Sequence, residues 1–211
     1  SSVNLSGAFL LDAELVGSDL SGANLIGTNL SGANLSGANL AFADLTGADL
    51  TGVELSDVTL TYVHAINLRV CPESLPVDWQ CVENHLVGPY ADLQYADLTG
   101  VNLSGADLRG ANLYGANLSD ADLSHADLGS HNAYSTDLRN VDFSGANLSF
   151  ADLTKSELIS SLFIDADMEY ANLRYADLTN AFFFGADLRN ADLSNADLTG
   201  VDFTNASHLE V

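Results

Sequence analysis

The sequence predicts an all-β solenoid, in which short extended segments alternate with tight turns and stack on one another. Three observations support this fold class. A five-residue unit repeats through residues 3–62 and again through 91–205. Its apolar residues recur two positions apart, which is the spacing of one face of an extended segment. The 3.6-residue apolar period and the capping residues of helices are missing, so a helical bundle is not expected.

Each five-residue unit is centred on a large apolar residue, which is leucine at 29 of the 35 central positions. Alanine is the usual residue two positions before the centre, and Asp or Asn lies between them. The two apolar side chains therefore point inward and the polar one outward. The residues after the centre are mostly Ser, Thr, Gly, Asn and Asp, which are typical of turns. Main-chain hydrogen bonds between coils would space them at about 4.8 Å.

This pattern resembles the A(D/N)LXX repeat of the pentapeptide-repeat family, as residues 21–50 illustrate with SGANLIGTNLSGANLSGANLAFADLTGADL. The resemblance covers most of the chain, and the repeat is similar to that of cyanobacterial and chloroplast-lumen members of the family. It implies a right-handed quadrilateral parallel β-helix with four pentads per coil, so the solenoid would have about nine coils. We expect one domain over 1–211, ending in a short tail at 206–211.

Residues 63–90 interrupt the repeat and contain all three Pro, both Cys and the single Trp. Because insertions in solenoids form loops on one side, we expect one inserted loop between the two repeat blocks. A disulfide between Cys71 and Cys81 would stabilise the fold by about 2.5–3 kcal/mol in the chain-entropy model. Two free cytosolic thiols are the alternative, whereas a zinc site would need further ligands.

The disulfide hypothesis bears on the compartment, because disulfides persist where the environment is oxidising. The sequence starts at Ser1 without an initiator Met, which suggests a processed signal peptide or a trimmed start. The family resemblance points to the periplasm or the thylakoid lumen. We therefore expect an exported protein, with a cytoplasmic location as the alternative.

The net charge is −23, from 29 acidic and 6 basic residues. It argues against direct nucleic-acid binding, which needs a basic surface. No apolar run is long enough to span a bilayer, so membrane insertion is not expected. If residues twenty apart stack, the outward acids form columns on the surface. One column would contain Asp97, Asn117, Asp137, Glu157, Asp177 and Asp197, and another Asp107, Asp127, Asn147, Asp167 and Asp187.

The same spacing predicts an inward column of stacked rings, formed by Phe143, Phe163, Phe183 and Phe203. On this face the outward positions turn apolar, at Leu162, Ile164, Phe182 and Phe184. A clustered apolar patch is typical of a partner site, and local packing over the edge of the solenoid is the alternative. Phe150 and Tyr170 are expected to stack at one corner.

No catalytic constellation is visible among the five His residues, and no phosphate loop or dinucleotide fingerprint occurs. We therefore expect no enzymatic activity, no cofactor and no metal. In the pentad 131–135, His131 and Ala133 exchange the usual small and large residues. We interpret His131 as a core or partly exposed residue, because a metal site would need a second ligand nearby.

The expected function is that of a non-enzymatic structural or interaction protein that presents a rigid acidic β-helical rod. Its partner would be a protein that the sequence does not identify, and the chain would be a monomer or weak dimer. The alternative is a DNA-mimicking protein that inhibits a DNA-binding enzyme such as DNA gyrase, with the acidic columns imitating phosphate rows. The gyrase-protecting branch of the family has Phe and Cys at core positions, whereas this core is dominated by Leu.

Overall fold

The computed structural model describes residues 3–130 and 134–208 and divides the chain into two compact units, Ser1–Leu93 and Gln94–Val211. In both units, isolated parallel bridges alternate with turns. Two strands occur in the first unit, β1 (Gln80–Val82) and β2 (His85–Val87), which form an antiparallel hairpin. Over the described ranges, no helix has the length and apolar character needed to cross a membrane.

In the first unit, the outward residue of a pentad forms a bridge with the outward residue twenty positions later. Asn4 is bridged to Asn24, and Asn24 to Asp44. Two main-chain hydrogen bonds make the first of these bridges. Leu5 N–H donates to Asn24 O at 2.8 Å, and Asn24 N–H donates to Val3 O at 2.9 Å. The twenty-residue step is therefore confirmed in the first repeat block.

The turns explain why Asp and Asn fill the outward position. Their Oδ1 atom accepts the N–H two residues later, as Asp49 does from Thr51 at 3.1 Å and Asn34 from Ser36 at 3.2 Å. Such local side-chain bonds favour a turn over a continuing strand. The residue after the N–H donor of each turn takes a positive φ, which glycine adopts without strain, as at Gly22 with φ 64°.

The interior of both units contains the alternating small and large apolar residues, with leucines such as Leu45 fully buried. In the second unit the predicted column of Phe rings is confirmed. Centroid distances are 5.1 Å for Phe143–Phe163, 4.5 Å for Phe163–Phe183 and 5.2 Å for Phe183–Phe203. All three ring pairs are stacked, so the ladder follows the twenty-residue step.

The second unit contains a change of step that the sequence pattern did not predict. Asn112 is bridged to Asp137, and Asp127 to Asp152, so the partners are 25 residues apart. The twenty-residue step resumes with the bridge between Asp137 and Glu157. One additional pentad is therefore accommodated between the two series of bridges.

The change of step falls between Gly129 and Thr136, and the Thr136 side chain links these two residues. The buried Thr136 hydroxyl donates to Gly129 O at 2.8 Å and accepts from Gly110 N–H at 3.0 Å. Thr136 occupies an inward position that is usually Ala. The expectations for His131 and Ala133 lie outside the described residues.

Candidate functional site

The change of step corrects the acidic columns predicted from the sequence. Asp97 does not share a column with Asp137, because Asp97 is bridged to Asn117 and Asn117 to Asp142. The column that contains Asp137 begins at Asn112 instead. The additional pentad is the physical reason, since it moves every later pentad to the next face. The corrected column is Asn112, Asp137, Glu157, Asp177 and Asp197.

The second predicted column is wrong for the same reason. Asp107 and Asp127 continue to Asp152, whereas Asn147 follows Asp122. The two corrected series are Asp107, Asp127, Asp152, Asn172 and Asp192, and Asn102, Asp122, Asn147, Asp167, Asp187 and Ser207.

Arginines connect carboxylates along these series, a feature that the sequence analysis missed. Arg139 Nη2 lies 2.6 Å from Asp137 Oδ2, and its Nε lies 3.5 Å from Glu157 Oε2 on the next coil. The hydrogen bond to Asp137, followed by the charges of Asp137 and Glu157, raises the pKa of Arg139. The two carboxylates therefore share one compensating cation. The sequence contained the signal for this contact. An Arg directly after the central residue of a pentad, such as Arg139 after Leu138, can reach the outward carboxylate of the next coil.

Asp127 differs from the other carboxylates of these series with shifted pKa values, because its pKa is raised and theirs are lowered. Burial raises the pKa of Asp127, although Gly129 N–H donates to its Oδ1 at 3.1 Å and Arg109 Nε lies 3.4 Å from its Oδ2. The charge of Asp152 also raises the pKa. Asp127, Arg109 and Lys155 line a surface groove of about 390 Å³. Cations and carboxylates alternate there, so the groove does not collect one sign of charge.

The predicted apolar residues come together on two adjacent coils, and we refer to them as the apolar patch: Leu162, Ile164, Phe182 and Phe184. Leu162 is bridged to Phe182. Asp165 N–H donates to Phe184 O at 2.9 Å, which aligns Ile164 with Phe184. The side chains of Phe182 and Phe184 are 44% and 45% exposed. The patch therefore keeps about half of its aromatic surface in solvent.

Carboxylates surround the apolar patch. Asp142 is bridged to Leu162 on one side of the patch, and Asp202 is bridged to Phe182 on the other. Asp165, directly after Ile164, is exposed at the adjoining corner. Hydrogen bonds from the Thr204 hydroxyl, at 2.5 Å, and from its N–H, at 2.9 Å, lower the pKa of Asp202. Asp202 is therefore ionised at neutral pH.

Aromatic rings also stack at one corner of the second unit. Phe150 and Tyr170 are stacked with centroids 4.8 Å apart, which confirms the predicted pair. His125 extends the stack at 4.9 Å from Phe150, because the 25-residue step places it one coil before. A similar stack in the first unit, Phe42 on Tyr62 at 4.9 Å, was not predicted.

The interruption in the first unit contains the predicted disulfide. Cys71 and Cys81 are bonded, with Cα atoms 6.0 Å apart, so the free-thiol alternative is wrong for this structure. The loop between them also contributes to the stack, since Leu55 N–H donates to Ser74 O at 3.0 Å. The Trp79 ring covers Gly88, where a Cβ atom would lie 2.5 Å from the ring. Neither contact was predicted from the sequence.

His64 lies between two carboxylates in the first unit. It is bridged to Asp44 on one side and to Asp92 on the other. Its Nδ1 lies 3.0 Å from Asp92 O and 3.7 Å from Asp92 Oδ1. The hydrogen bond with Asp92 raises the pKa of His64 against the opposing effect of burial, and the charges of Asp92 and Asp44 add to the rise.

Known proteins identify the family. The family model for pentapeptide repeats matches the chain in eight copies, over residues 1–37, 23–61, 91–129, 132–158 and 166–205. The chain belongs to the pentapeptide-repeat family. Membership implies the right-handed quadrilateral β-helix, in agreement with the parallel bridges of both units.

Solved structures include other pentapeptide-repeat proteins. HetL, involved in heterocyst differentiation regulation in the cyanobacterium Nostoc sp. strain PCC 7120, is 33% identical over 97% of this chain and 89% of its own, with a TM-score of 0.37. Rfr23 from the cyanobacterium Cyanothece 51142 is 29% identical over 52% of this chain and 89% of its own, with a TM-score of 0.42.

A third solved structure is QnrB1, a plasmid-mediated fluoroquinolone resistance protein. It is 18% identical over 95% of this chain and 89% of its own, with a TM-score of 0.33. No curated protein sequence matches this pentapeptide-repeat protein.

Proposed function

We propose that this pentapeptide-repeat protein is a non-enzymatic interaction protein, and that its apolar patch binds a protein partner. The observation that carries the proposal is the half-exposed pair Phe182 and Phe184, which lies with Leu162 and Ile164 between the polar outward residues Asp142 and Asp202. Exposed aromatic residues are enriched at interfaces, where their burial contributes most of the binding energy. The neighbouring repeats of the second unit would serve as its support.

Charge indicates the chemistry of the partner. The apolar patch has Asp142, Asp165 and Asp202 at its margin, and the chain carries a net charge of −23. A second copy of the chain would bring like charges together around the patch. The favoured occupant is therefore a different protein, with an apolar centre and a rim of Lys and Arg.

The arginines favour this function over imitation of DNA. Arg139 lies against both Asp137 and Glu157, so the corrected acidic column is not an uncompensated run of negative charge. We expect no inhibition of DNA gyrase supercoiling by an excess of the protein. Inhibition at micromolar concentration that Glu157→Gln and Asp177→Asn weaken would support the DNA-mimic alternative instead.

The disulfide supports an exported protein, in the periplasm or thylakoid lumen, because such compartments preserve disulfides. Thiol labelling of protein taken directly from its source cells tests the location. We expect Cys71 and Cys81 to be unreactive until a reductant is added. Two reactive thiols in the freshly isolated protein would favour the cytoplasm.

Partner binding is tested with a matched pair of variants. The double substitution Phe182→Asn and Phe184→Asn removes the apolar patch. The control, Phe9→Asn and Leu11→Asn, removes exposed apolar residues of the first unit. A protein retained from the source extract by the wild type and the control, but not by the patch variant, is then purified and titrated calorimetrically.

The titration decides whether such a protein is a true partner. We expect direct binding with a negative heat-capacity change, as apolar burial gives, and weaker binding at high salt, as a basic rim requires. No patch-dependent retention, or retention without direct binding, would overturn the proposal. A second copy of the chain retained tightly at low salt would contradict the inferred chemistry of the partner.

A further inference from the structure

We propose that the Cys71–Cys81 disulfide is a site of reversible reduction by a dithiol, and that reduction releases the chain between the two cysteines from the first unit. The site belongs to the interruption of the repeat. The proposal does not depend on the apolar patch of the second unit, so either can fail without the other.

Few non-covalent contacts hold the segment between the cysteines. Glu73 N–H donates to Val53 O at 2.7 Å, and Leu55 N–H donates to Ser74 O at 3.0 Å. These two bonds form a single bridge of the stack. The other main-chain contacts of the segment are the local bond from Trp79 N–H to Pro76 O at 3.1 Å and the pairing of Gln80 with Val87 in the β1–β2 hairpin. One bridge and one hairpin pairing therefore hold the segment at its two ends, and the disulfide is the covalent restraint that joins those ends.

The side chains of the segment cover the core at only two points. Leu75 and Trp79 pack against the core, while Val77 is 85% exposed. Val53 and Leu55 are the residues of the neighbouring coil that form hydrogen bonds with the segment, and both are fully buried. Release of the segment would therefore expose an apolar edge of the first unit that the oxidised form covers.

The two sulfur atoms differ in their surroundings. Cys81 packs against the apolar core, whereas Cys71 Sγ lies 3.9 Å from Asn84 Oδ1 in an exposed contact. An incoming thiolate would therefore attack the sulfur of Cys71. Attack breaks the S–S bond, forms a mixed disulfide on Cys71 and releases Cys81 as a thiolate, which takes up a proton.

The second thiol of the reductant completes the exchange. It loses a proton and attacks its own sulfur in the mixed disulfide, and Cys71 leaves as a thiolate that is then protonated. The dithiol is oxidised to a disulfide and supplies the two electrons that reduce the protein. The reverse sequence restores the Cys71–Cys81 bond.

Charge near the disulfide selects the class of reductant. Glu73 and Glu83 each lie two residues from a cysteine, and Asp78 lies between the cysteines; all three are exposed. Arg69 is the single Lys or Arg residue of 1–93. These carboxylates repel an anionic thiol such as glutathione, most strongly at low salt. The site therefore favours an uncharged or basic dithiol.

The single tryptophan makes the proposal directly measurable, because Trp79 lies in the segment that should move. Native protein is treated with dithiothreitol, and the two thiols are titrated without denaturant. We expect the Trp79 emission to shift to longer wavelength as the thiols appear. Cleavage after Glu73 by a glutamate-specific protease should accelerate about tenfold or more, because proteolysis follows the population of the open form.

The variant with both Cys71→Ala and Cys81→Ala is the matched control. It should show the shifted emission and rapid cleavage without dithiothreitol, and no response to dithiothreitol. If this variant does not fold, the wild type with and without reductant still gives the complete comparison. Reduction by glutathione should be slower than reduction by dithiothreitol, and added salt should bring the two rates closer together.

Two outcomes would overturn the proposal. Thiols that appear only after denaturation would mean that the disulfide is inaccessible to a reductant. Thiols that appear in the native protein without a change in Trp79 emission or in cleavage after Glu73 would mean that the segment is held by its non-covalent contacts.

Discussion

Asn112 forms a parallel bridge with Asp137, 25 residues later, whereas Asp137 forms the next bridge with Glu157 after only 20 residues. The stack thus accommodates one additional pentad between two coils. Each later pentad lies one face further on than an unbroken twenty-residue step would place it. The Thr136 hydroxyl bonds across this change of step, donating to Gly129 O and accepting from Gly110 N–H.

Thr136→Ala should destabilise the protein by about 1–3 kcal/mol, because it leaves the buried Gly110 N–H and Gly129 C=O without their shared hydroxyl. Urea unfolding measures the difference. Ser161→Ala is the control, since Ser161 donates only to Leu138 O and replaces the usual Ala of the repeat. Equal losses in the two variants would contradict the role assigned to Thr136.

Phe183→Ala should cost about 3–5 kcal/mol of unfolding free energy, because it leaves a cavity in the stacked column of rings. The adjacent Phe184→Ala removes a ring that points outward and is half exposed. Its cost should be within about 0.5 kcal/mol of zero, as for most surface substitutions. Similar losses at the two neighbouring positions would show that the assignment of inward and outward residues is wrong.

His64 should make the stability of the protein depend on pH. Because its pKa is raised in the folded state, protonated His64 favours folding. The stabilisation is fully present below the unfolded pKa, about 6.5, and is lost as the pH rises through the higher folded pKa. The unfolding free energy of wild type minus that of His64→Gln should therefore fall over this interval.

Denaturant unfolding from about pH 5 to about pH 9 brackets the His64 transition, and nuclear magnetic resonance titration of the ring gives its folded pKa directly. Asp92→Asn should lower that pKa, since Asp92 is the main cause of the rise. A free-energy difference that is constant across the interval would contradict the prediction.

The protein should be monomeric at low salt and form a weak dimer as salt increases. A charge of −23 opposes association until salt shortens the screening length, which is about 10 Å at 0.1 M. Light scattering at low and at about 0.5 M salt measures the change. The combined variant Phe182→Asn and Phe184→Asn should remain monomeric throughout, whereas Phe9→Asn with Leu11→Asn should behave as wild type. A tight dimer at low salt would refute this prediction.

The column from Phe143 to Phe203 could be predicted because all of its residues follow the additional pentad and keep the twenty-residue step. The placement of Asp97 beside Asp137 failed because one additional pentad changes the step between bridged residues without changing the five-residue period. A five-residue period therefore does not reveal the change. Thr136 at an alanine position was the available signal.

The interruption of the repeat shows the same limit. Ten residues separate Cys71 from Cys81, and that spacing sufficed to predict the disulfide. The contact of Trp79 with Gly88 depends on the path of the chain outside the repeat, where no periodicity indicates which residues meet. The hydrogen bond from Leu55 to Ser74 depends on that same path.

The turn bonds made by outward Asp and Asn separate the charge of this protein from its architecture. Asp49 and Asn34 each accept one N–H through the same Oδ1 atom, although only the carboxylate is charged. Exchanging one residue type for the other keeps the acceptor in place. Evolution or an engineer can therefore adjust the electrostatic field in single-charge steps along each face, while the backbone of the helix stays the same.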